Sequence, residues 1–392
     1  MPEQFPNAQI DLEDLAIHEG APVLLRSALA GLAVGDLLEV RADSPELADA
    51  LAAWCRKEGH RYLGSARPHS YRIEKVAGPA PVVALGSTIA ETADPHWGLA
   101  PRGGWIERGG PSFAFTLCRK RDVWAQELAS IYKQAIANQW SVARDIPWDK
   151  LPTLPREVES AVSQIMTFLT ENEFAALYVP ARFIPRIHPH YREVVEVLAV
   201  QVVDEARHAE AFTRRAEAGG MRLGTSAVSS QLSLQTLLEE PDFTTAAFLL
   251  CVMGEGTFLT LLKFLEERAP DPVTAALAKL AHRDEARHVA FGMEHLRYVL
   301  DREPERRSAL AAAVERRSQM LASVSGLSPY VADALTILAG GGISLREVRT
   351  GAQRVSTLHR EMDSARRDRL QSLGFDSDEA TRLSAYHTKN FM

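Results

Sequence analysis

The sequence predicts a multi-domain α+β protein, with a small N-terminal α/β sandwich followed by a mostly α four-helix bundle and extra C-terminal helices. Three observations carry this reading. Strand and helix signals alternate over residues 1–78. Helical periodicity runs almost unbroken from about residue 119. The five residues Asp204-Glu205-Ala206-Arg207-His208 recur, letter for letter, as Asp284-Glu285-Ala286-Arg287-His288. At 392 residues the chain exceeds the usual single-domain size, and 46% hydrophobic residues support a sizeable core. The expected division is a first domain at 1–78, a connector at 79–118, the bundle at 119–302 and a helical extension at 303–392.

In the first domain, Ile10-Asp11-Leu12 starts a strand, and Ala21-Pro22 opens a helix to Leu32 with proline in its first turn. Gly35-Asp36 turns into a strand over Leu37–Ala42. Ser44-Pro45 opens a second helix through Lys57, with Ser44 as N-cap and Gly59 just past its end. Tyr71 to Val76 forms the last strand. The connector is marked by Gly78-Pro79, Pro81, Pro95, Pro101, Gly103-Gly104 and Gly109-Gly110-Pro111. Beyond it, a helix from Trp124 through Trp140 places Leu128, Ile131, Ala135 and Ile136 on one stripe. Pro147, Pro152 and Pro155 interrupt, and Arg156 to Val179 resumes the helical pattern. Residues 184–190 read as a loop. Helices follow at 191–218, 243–268 and 272–300, and the tail is broken at Gly340-Gly341-Gly342.

Charge and composition exclude several function classes. With 44 basic and 51 acidic residues the net charge is -7, and no polybasic run invites nucleic acid. Residues 1–9 lack the basic and apolar parts of a secretory signal, and no uninterrupted apolar segment reaches membrane-spanning length. Cys55, Cys118 and Cys251 are too few and scattered for a disulfide framework, so a cytoplasmic location is expected.

The repeated segment carries the chemistry. Residues three apart share a helix face, so each copy offers a carboxylate and an imidazole to one point. Two such helices, with one further carboxylate from each of two others, make a two-metal site inside a four-helix bundle. In the second half that carboxylate is Glu255, the only acidic residue between Asp242 and Glu266. In the first half Glu173 and Glu171 compete, about 200° apart on a helix. Glu173 shares its face with Met166, Leu169, Ala176 and Leu177, which reads as inward. Glu171, beside Gln164 and Thr167, stays as the alternative. The expected ligands are thus Glu173, Glu205, His208, Glu255, Glu285 and His288, with no separate catalytic residue. Asp204 and Asp284 are candidates to accept a hydrogen bond from a ligating histidine, and Arg207 and Arg287 can pair with them locally. His282, three residues before Glu285, lines the same face as Glu285 and His288, and Tyr178 reads as core. Oxygen and nitrogen donors suit iron or manganese.

The order Glu173, Glu205/His208, Glu255, Glu285/His288 resembles the ferritin-like superfamily of di-iron carboxylate proteins over about residues 120–300. Glu173-Phe174-Ala175-Ala176 is similar to the Glu-x-x-Ala around that group's first ligand. The resemblance implies two Fe ions, or Mn or mixed Mn/Fe, in a non-haem oxygenase or oxidase. Such an enzyme activates O2 to hydroxylate, N-oxygenate, desaturate or cleave a small organic substrate. Resemblance to the superfamily's arylamine N-oxygenases is what suggests His282 as a seventh ligand, at an imperfect spacing. A ferroxidase or iron-binding protein and a radical-generating subunit are the alternatives. The long additions before and after the bundle suit a shaped pocket better than a storage cage. O2 and a small-molecule substrate are the expected partners. An electron-donor protein and a homodimer are candidates, while nucleic acid and membrane are not expected. Phe174, Leu177, Phe212, Phe248, Cys251, Phe258 and Phe291 are candidates to line the pocket.

The first domain resembles the small sulfur-carrier (TusA-like) family. The likeness lies in Gly20-Ala21-Pro22-Val23-Leu24, Gly35-Asp36-Leu37-Leu38-Glu39-Val40, Ala42-Asp43-Ser44-Pro45 and Trp54-Cys55-Arg56-Lys57-Glu58-Gly59-His60. That family carries sulfur on the cysteine of a Cys-Pro-x-Pro motif. Here the position is Ala21, and the second proline is Leu24. The resemblance therefore implies the fold without its chemistry, as a docking or lid module. Cys55 reads as a packing residue.

Overall fold

The computed structural model describes residues 5–43, 46–76, 82–324 and 327–388. Ser44, expected as an N-cap, lies outside the described residues. The chain divides into two compact units, Met1–Leu85 with Gly103–Gly110, and Gly86–Arg102 with Pro111–Met392.

The first unit runs β1 (Ala8–Asp11), α1 (Ala21–Ala30), β2 (Leu37–Arg41), α2 (Leu47–Glu58), β3 (Arg61–Arg67) and β4 (Ser70–Glu74). Its sheet has the order β1-β2-β4-β3, with β1 parallel to β2 and the other pairs antiparallel. Leu25, Leu29, Leu51 and Trp54 of the helices pack with Leu38, Val40 and Ile73 of the sheet. Gly59, at φ 77°, ends α2 as expected, where its N–H donates to the Cys55 carbonyl. Strand β3 escaped the sequence reading. It is an edge strand with two register shifts and Gly64 at φ 89°, so it needs no apolar run. A ribbon of β5 (Val82–Ala84) and β6 (Trp105–Glu107) completes the unit.

The second unit is helical. After α3 (Leu128–Ala137) come α4 (Arg156–Phe183) and α5 (Arg192–Ala218), which pack along each other. Helix α6 (Val228–Leu238) follows. A continuous rod then comprises α7 (Phe243–Ala247), a π-wound segment (Phe248–Glu255) and α8 (Gly256–Arg268), and it packs on α9 (Pro272–Leu300). Asp242 starts the rod by accepting from the Thr245 N–H at 2.8 Å, and Asp271 does the same for α9 with the Thr274 N–H at 2.8 Å. The rod is long and apolar enough to cross a membrane, contrary to the expectation that no segment reaches that length. Its most apolar window is 83% buried in the protein, so its apolarity belongs to a core helix. The tail forms α10 (Arg306–Met320), α11 (Pro329–Gly340), α12 (Leu345–Ser372) and α13 (Ser377–Thr388), with α11 packed on α4 and α12 on α8. Gly341, at φ 88°, provides the left-handed stop after α11, and Ser344 with Glu347 caps α12.

Several expectations are corrected. Helix α3 is shorter than Trp124–Trp140, and both tryptophans are buried outside it. Ile136 is exposed. Helix α6 escaped notice because its apolar residues are spread around the axis rather than gathered in a stripe. Tyr178 is not core but 57% exposed, and Phe174 is 48% exposed rather than lining an inner pocket. Both share the Glu171 stripe, opposite Glu173, and with α6 they line an outer groove.

Candidate metal centre

Helices α4, α5 and α9 and the end of the π-wound segment aim six side chains at one buried point. Glu173, Glu205, His208 and Glu285 form one group of donor atoms. Glu205, Glu255, Glu285 and His288 form another, each group having its atoms within 4.8 Å of one another. Glu205 and Glu285 belong to both groups. None of the six residues is more than 5% exposed. His208 Nδ1 lies 3.2 Å from Glu205 and 3.4 Å from both Glu173 and Glu285. His288 Nδ1 lies 2.9 Å from Glu205 Oε1 without hydrogen-bonding alignment. Glu171 stands outside both groups, and so does His282, which is only partly buried.

The outer faces of the two imidazoles are held crosswise. His208 Nε2 meets Asp284 at 3.2 Å, and His288 Nε2 meets Asp204 at 3.3 Å, each carboxylate coming from the other helix. Both aspartates are fully buried. Arg207 and Arg287 bridge them. Arg207 contacts Asp204 and reaches Asp284 at 2.7 Å, while Arg287 reaches Asp284 at 2.6 Å and Asp204 at 3.3 Å. Gln139 donates to Asp204 at 3.0 Å, and Trp140 donates its indole N–H to Asp284 at 2.6 Å. The Trp140 ring also stacks near His208 and lies under the Arg207 guanidinium. The sequence places Trp140 only at the end of an apolar helix. A buried tryptophan needs a partner for its N–H, which is the signal that pointed beyond packing.

Charge makes the centre costly as it stands. Two arginines balance the two aspartates, which leaves four buried glutamates facing two imidazoles. Burial, together with Glu205, pushes Glu173 well above the usual carboxylate range, and burial with Glu285 does the same to Glu255. Burial alone would lower His208. Its bonds to Asp284, Glu173, Glu205 and Glu285 outweigh that and hold it well above its ordinary value. Glu255 Oε2 and Glu285 Oε2 have no hydrogen-bond partner. Buried carboxylate oxygens left without donors need a cation or a proton. Four carboxylates and two imidazoles match two divalent ions in number, charge and donor type.

Beside the six residues lies a cavity of about 20 Å³, lined by Asn172, Ala176, Leu250 and Phe258 together with Glu173, Glu255 and Glu285. A smaller apolar cavity, lined by Phe183, Phe243, Cys251 and Phe291 among others, shares Leu250 with it. Gln201 lines this second cavity and donates to Glu255 Oε1 at 2.9 Å. Leu177 lines neither. Phe212 and Phe248 are buried core.

No protein-family model and no curated protein sequence matches the chain. Solved structures do. An R2-like ligand-binding oxidase with an Fe/Fe cofactor matches with a TM-score of 0.50 at 18% identity, over 64% of this chain and 94% of that one. A variant of that oxidase with a Mn/Fe cofactor gives 0.47 at 18% identity, over 65% and 94%. A Synechococcus protein with aldehyde deformylating oxidase activity gives 0.43 at 17% identity, over 59% and 98%. The first of these likenesses establishes the ferritin-like fold for the helical part of the chain.

Proposed function

We propose that the chain is a non-haem di-metal oxidoreductase that uses O2 to oxidise a small organic substrate. In this reading it holds two Fe ions, or a Mn/Fe pair, through Glu173, Glu205, His208, Glu255, Glu285 and His288. The observation that carries the reading is the pair of donor groups sharing Glu205 and Glu285, all buried, with carboxylate oxygens lacking any other partner. The Fe/Fe cofactor of the R2-like ligand-binding oxidase supports iron, and the oxygen and nitrogen donors suit iron or manganese over softer metals.

When bound, the metal pair supplies reduction of O2 and the oxidising equivalents for the substrate. The residues of the chain do the rest. Glu205 and Glu285, common to both donor groups, would serve both ions, with Glu173 and His208 added at one and Glu255 and His288 at the other. Asp204 and Asp284 hold the histidine Nε2 protons, which leaves Nδ1 of each ring free to ligate. Leu250, Phe258 and Ala176 give the adjoining cavity apolar walls against which an organic substrate could be held. Hydroxylation, N-oxygenation, desaturation and cleavage all fit this arrangement. An electron-donor protein would complete the cycle, in a cytoplasmic setting consistent with three free cysteines. We further propose that residues 1–78 are a TusA-like docking or lid module without sulfur chemistry, since Ala21 is fully buried where the sulfur-bearing cysteine would stand.

Anaerobic titration with Mn(II) or Fe(II) tests the reading, and two ions per chain are expected. Replacing both His208 and His288 by alanine should abolish binding, and full occupancy in that double variant would sink the proposal. Substrate-dependent O2 uptake distinguishes an oxidase from a ferroxidase, which consumes O2 only while Fe(II) is supplied.

A further inference from the structure

The rod carrying Glu255 is π-wound over the eight residues Phe248–Glu255. Such i→i+5 winding is rare and is frequently found at functional sites. A wider turn needs room on both flanks, and two glycines provide it. On the α9 side, a Cβ on Gly292 would sit 2.4 Å from the Cys251 Cβ. On the α12 side, a Cβ on Gly256 would sit 2.5 Å from the Arg369 Nε. Helix α12 fills the second gap. The Arg369 Nε donates to the Val252 carbonyl at 3.0 Å, inside the π-wound segment. One turn earlier on α12, Arg366 donates to Thr257 Oγ1 at 3.3 and 3.1 Å, and that hydroxyl donates to the Met253 carbonyl at 2.6 Å. Phe375, just past α12, stacks on Phe248 with ring centroids 6.0 Å apart. The C-terminal extension therefore grips the π-wound segment at its start, its middle and its far end.

We propose that Arg369 is a positioning residue for the second donor group: by holding the Val252 carbonyl it maintains the π winding that aims Glu255 at Glu205, Glu285 and His288. This rests on the two-metal reading above. It gives the extension a role at the centre, although none of its own residues belongs to either donor group. The first group, containing Glu173 and His208, draws on α4, α5 and α9 and does not depend on the π-wound segment.

The test uses the full-length protein, titrated anaerobically with Mn(II), the free ion being counted by electron paramagnetic resonance. Arg369→Ala should keep one ion at wild-type affinity and weaken the second at least tenfold. Gly256→Ala should do the same, because its methyl group displaces only the guanidinium end of a flexible side chain. It also removes a helix-disfavouring glycine, so it decides the matter if Arg369→Ala does not fold. Arg360→Ala, exposed on the same helix, should bind two ions as the wild type does. Two ions at wild-type affinity in both test variants would overturn the proposal. So would equal weakening of both ions with a lowered melting temperature, since that marks general destabilisation. A wild-type protein that binds no Mn(II) would overturn the two-metal reading and this inference together.

Discussion

His208 turns its Nε2 to Asp284 on α9, 3.2 Å away, and not to Asp204 on its own helix. His288 reciprocates with Asp204 at 3.3 Å. The duplicated segments thus support each other across the bundle, and each aspartate fixes the tautomer of a histidine from the other copy.

Crossed support predicts crossed coupling. Asp284→Asn should lower metal affinity about 10- to 100-fold, the usual effect of removing such a partner. In a double-mutant cycle read by Mn(II) affinity, Asp284→Asn should be non-additive with His208→Ala and nearly additive with His288→Ala. Asp204→Asn should show the reverse. Coupling only within each segment would contradict the crossed geometry.

The two glutamates of α4 should separate cleanly. Glu173→Ala removes a buried donor from the first group, and both Mn(II) affinity and O2 uptake should fall at least tenfold. Glu171→Ala should leave both intact, because the half-buried Glu171 lies outside both donor groups, and should register only in stability. Metal titration of the pair, with a thermal melt, checks this.

Acid should expose a buried neutral histidine away from the centre. His295 is fully buried between the Trp124 carbonyl and Thr244 Oγ1, and burial lowers it to about 4. Its folded value lies below the unfolded one, so the unfolded chain binds the proton first. Stability is then lost as pH falls from about 6.5 through about 4, by roughly 3 kcal/mol in all. In His295→Gln that part of the acid loss should vanish, which chemical denaturation at pH 7, 5.5 and 4.5 would reveal. An unchanged pH profile in the variant would refute the assignment.

Sulfur transfer should be absent from the first unit. Cys55 is fully buried, and burial pushes its thiol up to about 12, so almost no thiolate forms near neutral pH. Incubation with a persulfide donor, followed by intact-mass analysis, should show no added sulfur. A persulfide on Cys55 that turns over would contradict this.

Much of the centre was legible in the sequence because helical spacing is local. The repeated Asp-Glu-Ala-Arg-His marks two helix faces that each carry a carboxylate and an imidazole, and Glu255 stands out as a lone acid in an apolar run. The face-sharing argument that favoured Glu173 over Glu171 is the one the geometry follows. The same argument places Phe174 and Tyr178, three and seven residues after Glu171, on the outer face. Strand β3 and helix α6 were missed for a related reason, since neither carries a one-sided apolar pattern.

By itself, then, the sequence determined which residues share a helix face and which of those faces carry carboxylate and imidazole, because both follow from spacing along one chain. Only the tertiary structure decided the partners. That Asp284 serves His208, that Trp140 and Gln139 cradle the aspartates, and that Arg369 meets the π-wound turn all depend on which helices lie side by side. Those contacts join residues far apart in the chain, and their energies come from burial and crossing geometry that no local periodicity encodes.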